Sequence, residues 1–232
     1  MKLFILKIFP IHAGDYSTNW KQAWSSSGFR FQSILTCLIL ISVVSLIPGF
    51  FNYIQSRPGR QISDLLLNRI PARDVSWFIF SLLYSILFIT LVNLSYRPVL
   101  LLKGLQAYCL LLLLRICTLL LFPLEPEQNI VPLQDPFIGR FFYGNSVITK
   151  DLFFSGHVST LFLVFLLNPI KQLSPVFLGA TLLLSSLILL QHVHYSADVI
   201  AAPVFAWISY KLADYLAKKP MQMKPQSNLP AS

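Results

Sequence analysis

The stretch 153-FFSGHVSTLFLVFLL-167 places a titratable side chain, His157, at the start of a long apolar run. Such a group is costly at the edge of hydrocarbon, so its position calls for an explanation. Ser155 is a typical N-cap residue and Gly156 permits close backbone approach. A helix that begins here would point free amides and the positive end of its dipole at an anion. The stretch therefore predicts a membrane helix that begins at an anion-binding site.

The composition of the whole chain is that of a membrane protein. It has 232 residues, 55% hydrophobic and 12% charged, and its mean hydropathy is +0.66. Soluble domains carry about 25% charged residues. The net charge of +9 lies mostly beside apolar segments, as orientation signals and headgroup contacts do. No nucleic-acid-binding motif occurs, so we expect a membrane partner and no nucleic acid.

Six segments are apolar and long enough, or nearly so, to cross a bilayer as helices. The six segments are residues 31–51, 76–95, 98–122, 152–168, 174–191 and 195–217. They predict an all-α, polytopic bundle over residues 31–217. A cytoplasmic N-terminal segment, 1–30, precedes it, and a polar tail, 218–232, follows it.

Lysine and arginine counts predict the orientation of this bundle. With a cytoplasmic N-terminus, that side holds eleven of the 18 basic residues, the other side holds six, and Arg115 lies within a helix. Basic residues favour the cytoplasmic side. We therefore expect both termini in the cytoplasm. The fourth segment then begins, and the fifth ends, at the outer or lumenal face.

A second histidine motif, 191-QHVHYSADVI-200, reaches the same face in this topology. His194 and Asp198 are four residues apart, which places them on one face of a helix that begins near Tyr195. A carboxylate there can fix the tautomer of the imidazole and leave its other nitrogen as a nucleophile. On its own, Asp198 could instead complement the helix dipole.

His157 and Arg115 complete the predicted site. A second imidazole across a pocket can protonate a leaving oxygen as a general acid, although a lone interfacial histidine can also contact headgroups. Arg115 lies inside an apolar helix, where arginine faces the bundle interior or a wet cavity, and its planar fork suits phosphate. It could instead snorkel or pair with Glu125. Lys150 and Asp151 are interpreted as surface charges. Together the residues predict chemistry on a phosphoryl group.

The stretches "FSGHVSTLFL" and "HVHYSADVI" resemble the paired histidine motifs of the type 2 phosphatidic acid phosphatase superfamily. The resemblance is greatest to its sphingomyelin-synthase-like branch, whose motifs read close to Ser-Gly-His-(Thr/Ser) and His-Tyr-(Thr/Ser)-x-Asp-Val-(Ile/Val). It covers the second half of the chain in detail and the six-span layout of the whole. The resemblance implies that His194 takes the phosphoryl group, Asp198 orients it and His157 protonates the leaving group.

Departures from the ordinary phosphatases favour the synthase-like branch. The phosphatases carry Lys-x6-Arg-Pro, but Thr90 stands seven residues before Arg97 here. They carry Ser-Arg ahead of the second histidine, where this chain has Leu187 and Ile188, and a proline where Phe154 precedes Ser-Gly-His.

Two further positions bear on substrate recognition. Arg115 and Thr118 resemble that branch's third-helix arginine and threonine. Val193 stands where a sphingomyelin synthase has an acidic residue, which is a departure at a position linked to the choline headgroup.

The expected function is a lipid phosphotransferase that moves a phosphoryl group or phospho-headgroup from a phospholipid donor through a phosphohistidine. The acceptor, a lipid hydroxyl or water, stays open, so a lipid phosphatase or phospholipase C-like hydrolase is the alternative. A non-catalytic lipid-binding protein is a second alternative. No metal or other cofactor is expected. The predicted catalytic residues are His157, His194 and Asp198, and the predicted phosphate- or substrate-binding residues are Arg115, Ser155, Gly156 and Tyr195.

Overall fold

The computed structural model describes residues 19–135 and 148–218. In these two ranges the regular structure is helical, and no β-strand forms. The helices are α1 (Trp20–Ser25), α2 (Ser27–Ser56), α3 (Ser76–Ser95), α4 (Pro98–Leu121), α5 (Gly156–Leu167), α6 (Ser174–Leu190) and α7 (Ser196–Lys218), with short 3₁₀ turns at Leu67–Arg69 and Lys171–Leu173. The prediction of an all-α membrane protein is confirmed at this level.

Five of the described helical segments are long and apolar enough to cross a membrane. They are Ser27–Ser56, Ser76–Ser95, Pro98–Leu121, Lys171–Leu190 and Ser196–Ala217. The remaining apolar helix, α5, has 12 residues and is therefore about 18 Å long, against a hydrocarbon core of about 30 Å. The expectation of a helix from residue 152 is wrong at its start, because Phe153 has a φ of 103°, which a helix cannot accommodate.

The other predicted boundaries agree closely with the structure, except at the first segment. That helix begins at Ser27 instead of residue 31, since Ser26 caps it by accepting a hydrogen bond from the backbone N–H of Phe29 at 3.4 Å. It runs on to Ser56, past an internal Pro48. The predicted segment 1–30 is therefore helical in part. Residues 1–18, which include His12, and residues 219–232 of the predicted tail lie outside the described ranges.

Packing in the bundle centres on α4, α5 and α7. α4 packs against α7 and α2, while α5 packs against α6 and α7. Three alanines of α7, Ala202, Ala206 and Ala213, are fully buried, and small side chains of this kind let helices approach closely in membranes. α2 is the most peripheral span, with 17% of its apolar window buried. This arrangement leaves room between α2, α3, α4 and α5.

Loops at one end of the bundle form a layer joined by backbone hydrogen bonds. The backbone N–H of Arg60 donates to the carbonyl oxygen of Pro123 at 2.8 Å, and the N–H of Glu125 donates to that of Arg60 at 3.0 Å. The N–H of Arg73 donates to the carbonyl oxygen of Leu190 at 3.0 Å. Three chain segments far apart in sequence are thereby fixed to each other, next to both histidine motifs.

Candidate active site

The two histidine motifs meet at this capped end. The backbone N–H of Ser155 donates to the carbonyl oxygen of Asp198 at 3.1 Å. The Ser155 hydroxyl caps α5 by accepting a hydrogen bond from the N–H of Val158, with 3.5 Å between the heavy atoms. Ser155 is fully buried. The N-cap prediction is confirmed, and the start of α5 is tied to the first turn of α7.

His194 is held by Asp198. The His194 Nδ1 atom lies 3.2 Å from Asp198 Oδ2, and both side chains are 3% exposed. The same oxygen accepts the backbone N–H of Tyr195 at 3.2 Å. His194 precedes the first residue of α7, so its expected place on one helical face with Asp198 is wrong. Asp198 lies in the first turn of α7, and its carboxylate contacts His194 in the segment just before the helix.

The contact with Asp198 determines which ring nitrogen of His194 is free to contact a ligand. Since Nδ1 faces a carboxylate, Nε2 is the ring nitrogen that can meet a ligand, and within the described residues it makes no hydrogen bond. His194 also lines the large cavity of the bundle. An imidazole oriented by a carboxylate at one nitrogen is a nucleophile or base at the other.

His157 lines the same cavity from the first turn of α5. Its half-buried ring packs edge-on against the ring of Phe80, with 5.8 Å between centroids and 74° between planes. Neither ring nitrogen of His157 bonds to another side chain in the part of the chain that the structure describes. Both imidazoles therefore face one space, and His157 is positioned by packing alone.

Arg115 is buried beside the start of α5. Its guanidinium donates to the carbonyl oxygen of Phe154 and to that of Asp151, the latter at 3.2 Å, and an η nitrogen lies 2.7 Å from Asp151 Oδ2. A methyl group at Gly156 would lie 3.1 Å from Arg115 Cζ. The absence of a side chain at Gly156 therefore makes space for this guanidinium.

The ion pairs exclude one alternative for Arg115 and correct the interpretation of two charged residues. Arg115 pairs with Asp151, not with Glu125, because the segment just before α5 lies against the Arg115 guanidinium. Glu125 instead pairs with Lys150 at 2.8 Å. Lys150 Nζ also donates to the carbonyl oxygen of Arg57 at 2.7 Å, and its side chain is 16% exposed. The interpretation of Lys150 and Asp151 as surface charges is therefore wrong.

The cavity has a volume of about 1090 Å³ and lies between α2, α3, α4 and α5. Its polar lining includes Arg115, His157 and His194, together with the carboxylates of Asp74, Asp135 and Asp151. It is also lined by apolar side chains such as Leu87 and Leu112. A polar lining with apolar walls suits a ligand that has a charged group and a hydrocarbon part.

Three predicted site residues support this cavity without lining it. Ser155 and Asp198 act through the contacts described above. Tyr195 is 1% exposed, and its hydroxyl donates to the carbonyl oxygen of Glu125 at 2.9 Å. The side chain of Tyr195 therefore anchors the loop layer and is absent from the cavity wall.

His192, the other histidine of the second motif, also lies away from the cavity. Its Nδ1 is 3.0 Å from Glu127 Oε2 and its Nε2 is 2.9 Å from the carbonyl oxygen of Ile70. It is 2% exposed and has a φ of 57°. His192 therefore joins two loops to the end of α6.

Sequence reasoning missed several cavity contacts. The hydroxyl of Tyr84 donates to Asp135 Oδ2 at 2.8 Å, and both residues line the cavity. Gln191 is fully buried, and its side chain joins Ser76 to the backbone N–H of Val75. No local pattern marks these residues, because their partners are far away in sequence.

Across residues 19–135 and 148–218, no group of three or more His, Cys, Asp or Glu side chains is arranged to hold a metal ion. No protein-family model and no curated protein matches the chain.

Proposed function

We propose that the protein is a membrane lipid phosphotransferase of the sphingomyelin-synthase-like branch of the type 2 phosphatidic acid phosphatase superfamily. It moves a phosphoryl group or phospho-headgroup from a phospholipid to an acceptor lipid. The observation that carries the proposal is the His194–Asp198 pair at 3.2 Å, on a cavity that His157 and Arg115 also line. The motif resemblance supports the same assignment.

The first step is an attack by His194 Nε2 on the phosphorus of the donor. The new N–P bond forms as the P–O bond to the lipid alkoxide breaks, and protonated His157 gives its proton to that oxygen. Asp198 stabilises the positive charge that develops on the His194 imidazole. Arg115 donates hydrogen bonds to the phosphate oxygens. The product is phosphohistidine and a free lipid alcohol.

The second step returns His194 to its starting state. The acceptor hydroxyl oxygen attacks phosphorus, its proton passes to the now neutral His157, and the P–N bond breaks. The apolar walls of the cavity favour a lipid acceptor, because a hydrocarbon chain can bind beside Leu87 and Leu112 and exclude water from the phosphohistidine.

The proposed membrane arrangement has six spans, with α5 as the fourth. Both termini then lie in the cytoplasm and the cavity mouth faces the outer or lumenal side, as the distribution of basic residues favours. Single cysteines at Leu65, which is 77% exposed, and at Tyr96, which is 46% exposed, test this. An impermeant thiol reagent applied outside should label L65C and spare Y96C. The reverse pattern would contradict the arrangement.

The alternative acceptor is water, which would make the protein a lipid phosphatase or a phospholipase C-like hydrolase. In that case radiolabelled donor yields free phosphate or free phospho-headgroup, whether or not a second lipid is supplied. A non-catalytic lipid-binding protein would yield neither product. These outcomes distinguish the three functions in one assay.

The decisive experiment incubates purified protein with a ³²P-labelled phospholipid, with and without diacylglycerol or ceramide. We expect label on the second lipid, and an acid-labile, base-stable label on the protein during turnover. His194→Ala should lose both signals. His192→Asn, a change at a histidine outside the cavity, should keep the protein label. Equal product formation by H194A would overturn the proposal.

A further inference from the structure

The guanidinium of Arg115 is already partly engaged before any ligand binds. An arginine has five N–H donors, and Arg115 uses two of them in hydrogen bonds to the carbonyl oxygens of Phe154 and Asp151. One η nitrogen also lies 2.7 Å from Asp151 Oδ2, in an ion pair. Its other three N–H groups make no hydrogen bond within the described residues, and Arg115 lines the cavity. Arg115 therefore has N–H donors left for an anion, while the nearby Asp151 carboxylate balances much of the arginine's charge.

The Asp151 carboxylate is held in an unusual way for a purely structural group. Its Oδ2 is 2.7 Å from Arg115, but its Oδ1 is buried and accepts no hydrogen bond from residues 19–135 or 148–218. Buried polar atoms are nearly always paired, because an unpaired one keeps its desolvation cost. Asp151 also lines the cavity. A neutral side chain with all its hydrogen bonds made would avoid this cost. The buried carboxylate of Asp151 therefore points to a role in ligand binding.

We propose that Asp151 determines specificity by restricting the site to phosphate groups that carry a single negative charge. This inference rests on the proposed function, because it concerns the phosphate bound beside Arg115 and His194. A phosphodiester carries one negative charge and can accept hydrogen bonds from the donors that Arg115 has left. A phosphomonoester carries close to two charges above neutral pH, and the second would be repelled by the Asp151 carboxylate.

Asp74 provides a matched control for the loss of a negative charge. It lines the same cavity, but its Oδ1 accepts the backbone N–H of Ser76 at 3.0 Å and does not contact Arg115. Asp74→Asn and Asp151→Asn thus remove the same charge from one cavity. Only the second change leaves Arg115 without its counter-ion.

The test compares two lipids in detergent micelles at pH 8: dioctanoyl phosphatidic acid, a monoester, and dioctanoyl phosphatidylcholine, a diester. For D151N we expect the ratio of kcat/KM for the monoester to that for the diester to rise about tenfold or more, mainly through KM for the monoester. For D74N the ratio should stay within about threefold of the wild-type value. An unchanged ratio in D151N, or the same rise in D74N, would overturn the role of Asp151.

Binding of inorganic phosphate gives a second readout that needs no turnover. At pH 8, phosphate should raise the melting temperature of D151N at a concentration about tenfold lower than for the wild type. Asp151→Glu keeps the charge and should retain the wild-type phosphate response. If the wild type turns over neither lipid, the proposed function fails for these two donors, while the phosphate titration still tests Asp151. If D151N shows no gain in phosphate affinity, the inference fails, whatever the enzyme does with lipids.

Discussion

The backbone N–H of Ser155 donates to the carbonyl oxygen of Asp198 at 3.1 Å, so the start of α5 and the first turn of α7 are held as one unit. His157 follows Ser155 by two residues, and His194 contacts the side chain of Asp198. One main-chain hydrogen bond thus links the elements that carry both imidazoles. Their relative position is therefore set in part by the backbone and not only by the polar side chains.

Asp198→Asn should lower kcat by about a thousandfold or more, because the amide no longer fixes the His194 tautomer or balances its charge. The measurement is the initial rate of label transfer at saturating donor.

Asp64→Asn is the control for Asp198→Asn. Asp64 Oδ2 accepts the N–H of Ser196 at 2.6 Å, so it binds the same helix start but touches no histidine of the cavity. D64N should lose about 1 kcal/mol of unfolding free energy and keep kcat within a few-fold of the wild type. Equal losses of kcat in D64N and D198N would mean that Asp198 acts only by anchoring α7.

Gly156→Ala should raise KM for the phospholipid donor by about tenfold to a hundredfold. The added methyl group would lie 3.1 Å from Arg115 Cζ and 3.2 Å from its Nε, so the guanidinium must move. A full titration of donor separates this effect from a change in kcat.

Gly179→Ala in α6 serves as the comparison for Gly156→Ala. A methyl group at Gly179 would meet nothing within 4 Å. Alanine there should stabilise the helix by about 0.5–1 kcal/mol and leave KM unchanged. A normal KM in G156A would show that Arg115 does not bind the phosphate.

The long spans could be predicted from the sequence because each is set by a local property. The helix at residues 76–95 is a mostly apolar run without a charged residue that ends shortly before Pro98, and proline is favoured in the first turn of the next helix. The meeting of the two motifs followed from counting spans and basic residues, which needs no side-chain geometry.

The start of α5 and the ion pairs could not be predicted in that way. Phe153 leaves the helical region and the carbonyl oxygen of Phe154 accepts from Arg115, a residue 39 positions away. The partners of Lys150 and Asp151 likewise depend on the path of a loop under the end of α4. No periodicity or local propensity encodes such contacts.

Gln191→Leu should lower the unfolding free energy by about 1–3 kcal/mol for each buried partner that it leaves unpaired. Gln191 Nε2 donates to the hydroxyl of Ser76 at 2.7 Å, and its Oε1 accepts the N–H of Val75 at 3.2 Å. Thermal unfolding in detergent measures the loss. Ser186→Ala, at an exposed position of α6, should change stability by no more than about 0.5 kcal/mol. Equal melting temperatures for both variants would contradict the role of Gln191 in joining α3 to α6.

Glu125→Gln should destabilise the protein at neutral pH and have little effect in acid. The hydrogen bond from Lys150, together with that from the backbone N–H of Gly59, holds the pKa of Glu125 below its usual range. A lowered folded-state pKa gives stability that is fully present above the unfolded value, about 4.3. That stability is lost as the pH falls through the folded-state pKa.

Melting temperatures of wild type and E125Q between pH 7 and pH 3 measure this effect. We expect the difference between them to shrink as the pH falls below about 4.3. Lys150→Gln removes the main partner, so adding E125Q to K150Q should cost less at pH 7 than E125Q alone. A difference that stays constant with pH, or that is undiminished in the K150Q background, would show that the Lys150–Glu125 pair at 2.8 Å contributes nothing to the stability of the loop layer.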